Sequence, residues 1–305
     1  MPRATIGSVH DRRAVAIGAL AYVLWGLFPL YFRLLASSGP VEIVAYRALW
    51  SLVFCLLLLV VVRRWGTFVA VVRDARLFAT LALAGALVAL NWGIYVFGVT
   101  TDRTLDASMG YFMNPLVSAL LGVLVLGERL RPAQRLAFAF GAAAVLVLVV
   151  SYGQVPWIAL GVALSFGFYG LVKKRVGARV AALPGLTAET LALALPALLF
   201  LLWLGSSGGA TVEPMSPYGA LLALAGPITA TPLLLFAHAA SRLNLSTIGM
   251  LQYIAPIMLF FLGWLVYREP MPPERWAGFT LVWIAVVIFA ADAYRATRPP
   301  RLRRR

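Results

Sequence analysis

The sequence predicts an all-α integral membrane protein of ten transmembrane helices, arranged as two inverted five-helix repeats. Three observations carry this. The 305 residues are 62% hydrophobic and 12% charged, with a mean hydropathy of +0.90. The basic residues fall in short clusters between apolar runs, and the chain resembles itself at a fixed offset of 141 residues. No soluble core hides so much apolar surface, because surface grows along with volume. The net charge of +15 is spread as membrane-flanking clusters rather than along one face, which argues against nucleic acid as a partner. The single cysteine, Cys55, lies within an apolar run and permits no intramolecular disulfide.

Crossing the hydrocarbon takes about 20 residues of helix. Ten segments meet this: 14–36, 41–62, 77–98, 104–126, 133–150, 156–173, 184–204, 217–238, 244–266 and 275–294. The first is too long for the apolar core of a signal peptide and is read as a retained helix. Residues 1–13 form an N-terminal tail, 14–150 a first repeat, 156–294 a second, and 295–305 a basic tail suited to anionic lipid. With the N-terminus inside, inner segments hold 21 Lys and Arg and outer segments only Arg33, Arg103, Arg268 and Arg275. That asymmetry places both termini in the cytoplasm of a bacterial inner membrane.

The repeat is visible as LALAG at 81–85 and again at 222–226. The same offset pairs Gly26 with Gly167, Phe28 with Tyr169, Pro115 with Pro256, Gly122 with Gly263, Glu128 with Glu269 and Pro132 with Pro273. Five helices per unit is an odd number, so the halves enter the membrane in opposite directions. Inverted repeats of this kind are a transporter architecture, with the binding site near the midplane; a duplicated scaffold is the alternative.

The segment Ser108-Met109-Gly110-Tyr111-Phe112-Met113-Asn114-Pro115-Leu116, followed by Leu126-Gly127-Glu128-Arg129, resembles the signature of EamA-type drug/metabolite transporters. Tyr22 to Arg33, Glu42 to Ser51, Asn91-Trp92, Ser165 to Lys174 and Arg242 to Pro256 are similar to the RarD subfamily, named for a link to chloramphenicol sensitivity. The resemblance covers nearly the whole chain. It implies a multi-pass secondary transporter that exports small metabolites or drugs by alternating access with proton coupling. A non-catalytic scaffold or a lipid-translocating protein of the same fold is the other reading.

Polar groups inside apolar spans need a partner or water, so they are the candidate site residues. Arg47 lies two turns into the second span, where an arginine costs roughly 2.5–3.5 kcal/mol to insert at the helix centre. Its planar fork suits a substrate carboxylate or phosphate, an internal ion pair, or snorkelling to the surface. Glu189, in the seventh span, has no basic neighbour one turn away on its own helix. It is read as an isolated carboxylate suited to proton coupling, or as a tether to a neighbouring helix. Asn91, Asn114, Gln252 and Ser108 supply neutral hydrogen bonds. Trp25, Trp92, Tyr95, Tyr111, Tyr169 and Tyr253 bring aromatic faces with polar handles, a mixture suited to an amphipathic solute.

Pro29, Pro115, Pro196, Pro232 and Pro256 fall inside spans, and the repeat-equivalent Pro115 and Pro256 are the hinge candidates. Glu42 is read as a helix-dipole charge at the mouth of the second span, and Glu128 and Glu269 as helix-end charges that pin loops. The uniformly apolar fifth and tenth helices are left to support the bundle or to pair two copies. No HExxH, cysteine pair or Walker A sequence is present, so an enzyme is not expected and no metal or cofactor site is read. Gly205-Ser206-Ser207-Gly208 matches a serine-hydrolase string only by chance, with no histidine placed to activate it.

Overall fold

The computed structural model describes residues 12–296 apart from 128, 152, 154, 177, 178, 213–215, 241 and 244. Its helices are α1 (Arg12–Leu34), α2 (Pro40–Val61), α3 (Trp65–Arg73), α4 (Ala75–Thr100), α5 (Thr104–Leu126), α6 (Pro132–Ser151) and α7 (Trp157–Val176). The second half holds α8 (Ala182–Ser206), α9 (Pro217–Ala223), α10 (Ala225–Ala240), α11 (Leu245–Leu251), α12 (Ile254–Phe261), a π turn over Leu262–Val266, and α13 (Pro273–Ala296). Among the described residues, nine helical segments are long and apolar enough to cross a membrane. α7 is of spanning length but ends in Lys173, Lys174 and Arg175, which lower its hydropathy. By position it completes the ten, packed along α4 and α5.

The structure adds to the ten segments in two places. The basic stretch between the second and third spans holds a short helix, α3, which buries Phe68 and Val71 and packs on α8. Trp65, Phe68, Val69 and Val72 recur at the spacing of one helix face, a signal too short to stand out between two 20-residue spans. The eighth and ninth spans are each two helices, broken at Leu224 and at Gln252-Tyr253. Proline explains both: Pro227 and Pro256 cannot donate to the carbonyls of Ala223 and Gln252, and their rings crowd those carbonyls. Pro29, Pro115, Pro196 and Pro232 lie inside helices that run on unbroken.

The inverted repeat reappears as reciprocal contacts. Gly26 of α1 is covered by Met258 of α12, where a Cβ would come within 2.6 Å of the sulfur. The counterpart of Gly26, Gly167 of α7, is covered by Val117 of α5, and Val117 is itself the counterpart of Met258. The glycines that close the two LALAG strings behave alike. Gly85 of α4 crosses the main chain of α8, so that a Cβ there would sit 2.7 Å from the carbonyl oxygen of Glu189. Gly226 of α10 crosses α2, and its Cβ would overlap the carbonyl of Trp50. Leu81 and Leu222, the first residues of the two strings, are fully buried. The string is therefore repeated because it builds the same crossing twice.

α6 and α13 pack most extensively against each other, and Ala137 of α6 and Ala285 of α13 share a buried cluster with Leu116 of α5. With ten passes, the start of α1 and the end of α13 lie at one end of the bundle, termed the terminal end; the other is the loop end.

Small residues let transmembrane backbones approach closely, and filling such a contact costs about 1–3 kcal/mol. Gly226→Val and Gly85→Val are therefore expected to lower the thermal unfolding midpoint of the purified protein. Gly93→Ala, with open space around its Cβ position, is expected to leave the midpoint within the error of the scan.

Candidate functional site

Arg47 is the centre of the polar interior. It lies about 10 Å along α2 from the loop end, and only 3% of it is exposed. Its Nε donates to the Thr229 hydroxyl of α10 at 2.8 Å. Its guanidinium sits over the Trp92 ring at 3.9 Å, with Phe32 at 5.2 Å and Phe28 at 5.5 Å. Tyr31, Tyr95 and Tyr111 are within electrostatic reach. The ion pair and the snorkelling that the sequence left open are both absent: among the described residues no carboxylate pairs with Arg47, and its Nη1 is buried without a hydrogen-bond partner. The Tyr95 hydroxyl nearby is likewise unmet. Stacking on an indole and one neutral hydrogen bond offset only part of the desolvation of a cation.

Asn91 and Tyr111 extend this cluster. The Tyr111 hydroxyl donates to Asn91 Oδ1 at 3.2 Å, while Asn91 Nδ2 donates to the Val162 carbonyl at 2.9 Å and to Ser165 Oγ at 3.1 Å, tying α4 and α5 to α7. Trp25 packs against the apolar cluster that holds Phe28 and Phe32, and contacts Tyr22 edge-on at 5.1 Å and Phe236 at 5.7 Å. The other candidates lie elsewhere. Tyr253, at the break before α12, stacks on Phe112 within a separate apolar cluster. Gln252 is half-buried at the same break, and Asn114 Oδ1 is buried and unpartnered in α5. Ser108 acts as a tether, donating to the carbonyl of Pro256 at 2.8 Å.

Glu189 is not isolated, which corrects the reading from its own helix. It is 1% exposed on α8 and accepts from Lys173 Nζ of α7 at 2.5 Å and from the Tyr169 hydroxyl at 3.3 Å. A search one turn either side of Glu189 sees only its own helix, whereas the partner lies 16 residues away on the preceding one. Tyr169 thus belongs to this second polar site and not to the Arg47 cluster. The two sites occupy corresponding places in the two halves, although at the offset of 141 the counterpart of Arg47 is Ala188, the residue before Glu189. Glu189 follows Arg47 by 142 residues, and its partners Tyr169 and Lys173 are the counterparts of Phe28 and Phe32, the rings beside Arg47.

The loop end is sealed by carboxylates. Glu269 receives the main-chain N–H of Thr104 at 2.6 Å and of Leu105 at 2.9 Å, closing the N-terminus of α5. Arg275 donates to Asp106 at 2.5 Å, Arg103 to the other oxygen of Asp106 at 2.8 Å, and Arg33 pairs with Asp102. Glu42 lies in the first turn of α2 as expected, but it is buried and accepts from both the N–H and the hydroxyl of Thr211. Glu269 pins a loop as its position suggested; its counterpart Glu128 lies outside the described residues. Thr229, Lys173, Asp106 and Thr211 were missed because their partners are 16 to 182 residues away, and only Arg103–Asp106 was legible as a one-turn pair.

The terminal end is looser. A cleft of ≈ 980 Å³ opens there between α1, α2 and α10, lined by Arg13, Ile17, Phe54, Leu58, His238 and Arg242 among others. No group of three or more His, Cys, Asp and Glu that would hold a metal occurs among the described residues.

These features, spanning helices in two inverted halves around a buried polar interior, define a multi-pass membrane protein of transporter architecture. The EamA-like transporter family matches the chain twice, over residues 12–150 and 155–291. A protein of Streptomyces exfoliatus named RarD is 48% identical over 96% of this chain and 93% of its own length. An uncharacterized transporter of Pseudomonas aeruginosa is 41% identical, covering 96% and 98%, and RarD of Escherichia coli K12 is 37% identical, covering 95% and 97%. A solved crystal structure superposes with a TM-score of 0.60 at 19% identity, covering 94% of this chain and 99% of the other, which supports the fold alone. The chain belongs to the EamA-like transporter family, and it is a membrane transporter.

Removing one member of a buried pair strands the other charge, although the partial exposure of Lys173 moderates the effect. Lys173→Met is expected to destabilise the protein by about 2 kcal/mol. Combining it with Glu189→Gln is expected to recover much of that loss in a double-mutant unfolding cycle.

Proposed function

We propose that this chain is a secondary active exporter of small organic solutes, working by alternating access with proton coupling. One observation carries the reading: two halves related by inverted pseudo-symmetry are closed at the loop end and open at the terminal end. A molecule built of equivalent halves has a second arrangement in which the ends exchange roles, at a similar free energy. The basic residues, 21 against four, favour a cytoplasmic terminal end, so the open cleft faces the cytoplasm and solute enters from there.

The substrate site is the cluster of Arg47, Trp92, Asn91 and Tyr111 with Trp25, between helices of both halves, and Asn114, Gln252 and Tyr253 line the path as the helices shift. The hinges are Pro115 and Pro256. The helix is broken at Pro256 and continuous at Pro115, an asymmetry that alternation would reverse. Glu189 carries the coupled proton. Its salt bridge to Lys173 holds α7 against α8 in the present arrangement, and protonation releases it. α6 and α13 buttress the moving helices and offer the surface for pairing two copies.

Glu189→Gln is expected to abolish the pH dependence of solute flux in proteoliposomes while leaving expression and folding intact. Unchanged gradient-driven flux in that variant defeats proton coupling through Glu189. Lipid scrambling without flux of any solute in a broad panel defeats the transporter reading in favour of a lipid-translocating protein.

A further inference from the structure

The two pseudo-equivalent polar sites are finished differently, and the difference points to the chemistry of the substrate. At Glu189 the chain supplies the counter-ion, Lys173, in the place that Phe32 takes beside Arg47. At Arg47 it supplies none. The guanidinium is 3% exposed, its Nε is used by Thr229, its face is covered by Trp92, and its Nη1 has no acceptor among the described residues. Tyr95, one turn along α4 from Trp92 and 3% exposed, leaves its hydroxyl equally unmet within electrostatic reach of the same guanidinium. A buried cation and a buried hydroxyl without acceptors are each costly. Both costs are relieved by one ligand that brings a negative charge and two acceptor oxygens.

We infer that Arg47 and Tyr95 form the binding site for the carboxylate of an organic monoanion with a planar, apolar body. This rests on the transport reading for its physiological role. The charge is single because one guanidinium faces the site; Lys173 is engaged by Glu189 and Arg33 by Asp102. The acceptor is a carboxylate because a guanidinium N–H and a hydroxyl present two donors, which a carboxylate's two oxygens match. The body is flat and apolar because the surroundings are rings: Trp92, Phe28, Phe32 and Tyr111. Access is consistent. Arg47, Phe54 and Leu58 fall on one face of α2, at spacings of seven and eleven residues, so the wall of the cleft continues toward Arg47. The mouth carries Arg13 and Arg242, a positive potential that draws anions inward.

The test is ligand binding to purified full-length protein in nanodiscs, read as thermal stabilisation and as direct affinity, with benzoate, phenylacetate and indole-3-acetate against their amides. The carboxylates are expected to bind roughly tenfold to a hundredfold more tightly than the amides. Arg47→Gln is expected to erase that preference and Tyr95→Phe to weaken it severalfold. Equal binding of the amides, no binding of any carboxylate, or a preference that survives in Arg47→Gln overturns the inference. So does equal stabilisation by chloride or inorganic phosphate alone, or by phosphatidylglycerol in otherwise zwitterionic discs, which assigns the site to a small ion or a lipid headgroup. If Arg47→Gln is not monodisperse, Tyr95→Phe decides, and unchanged affinity there overturns the inference. Counterflow in liposomes separates the two readings. Carboxylate binding without counterflow removes transport and keeps the site, whereas counterflow of neutral solutes without carboxylate binding removes the site and keeps transport.

Discussion

Hydrocarbon offers no hydrogen bonds, and the architecture of this protein follows from that constraint. Every polar group carried into the spans must be met by another part of the chain, and most are. Asn91 is met by α5 and α7, Ser108 by the carbonyl that precedes Ile257, and Glu189 by a lysine reaching in from the end of α7. Thr187 and Thr190 of α8 fold their hydroxyls back onto carbonyls of their own helix. Against this thrift, the unmet groups around Arg47 stand apart. Arg33 over Tyr267 likewise leaves a guanidinium nitrogen and a hydroxyl unmet, but Arg33 has Asp102 as its counter-ion, whereas among the described residues Arg47 pairs with no carboxylate and lies where helices of the two halves cross.

The fold is largely legible in the amino-acid sequence. Hydropathy found the spans because twenty apolar residues in a row have few other uses, and the offset of 141 organised them. The same offset foretold reciprocal contacts such as Gly26 on Met258 and Gly167 on Val117, although nothing in the linear pattern said which helix would cover which glycine. The breaks at Gln252-Tyr253 and Leu224 were half legible. A proline marks each, but Pro115 and Pro29 are equally proline and leave their helices continuous, so tertiary packing chooses which ladder yields.

The candidate site was legible as residue types and not as a constellation. Arg47, Asn91, Trp92 and Tyr111 could be singled out because each is unusual at its depth, and the structure does bring these four together. Tyr169 looked like their companion and proved to be a partner of Glu189. Spacing along one helix cannot reveal a contact made by the next, and this single limitation accounts for the mistaken isolation of Glu189 and for overlooking Thr229, whose hydroxyl orients the guanidinium from 182 residues away.

The seal at the loop end has a consequence for how this protein can drift in sequence. Glu269 grips the main-chain N–H groups of residues 104 and 105 and none of their side-chain atoms. Any amino acid with an N–H serves there, so the contact leaves no pairwise covariation between 269 and its partners. Only proline at either position would open it. The closure of that end thus rests on one carboxylate, while the side chains of the fully buried Thr104 and Leu105 are constrained by packing and not by the seal.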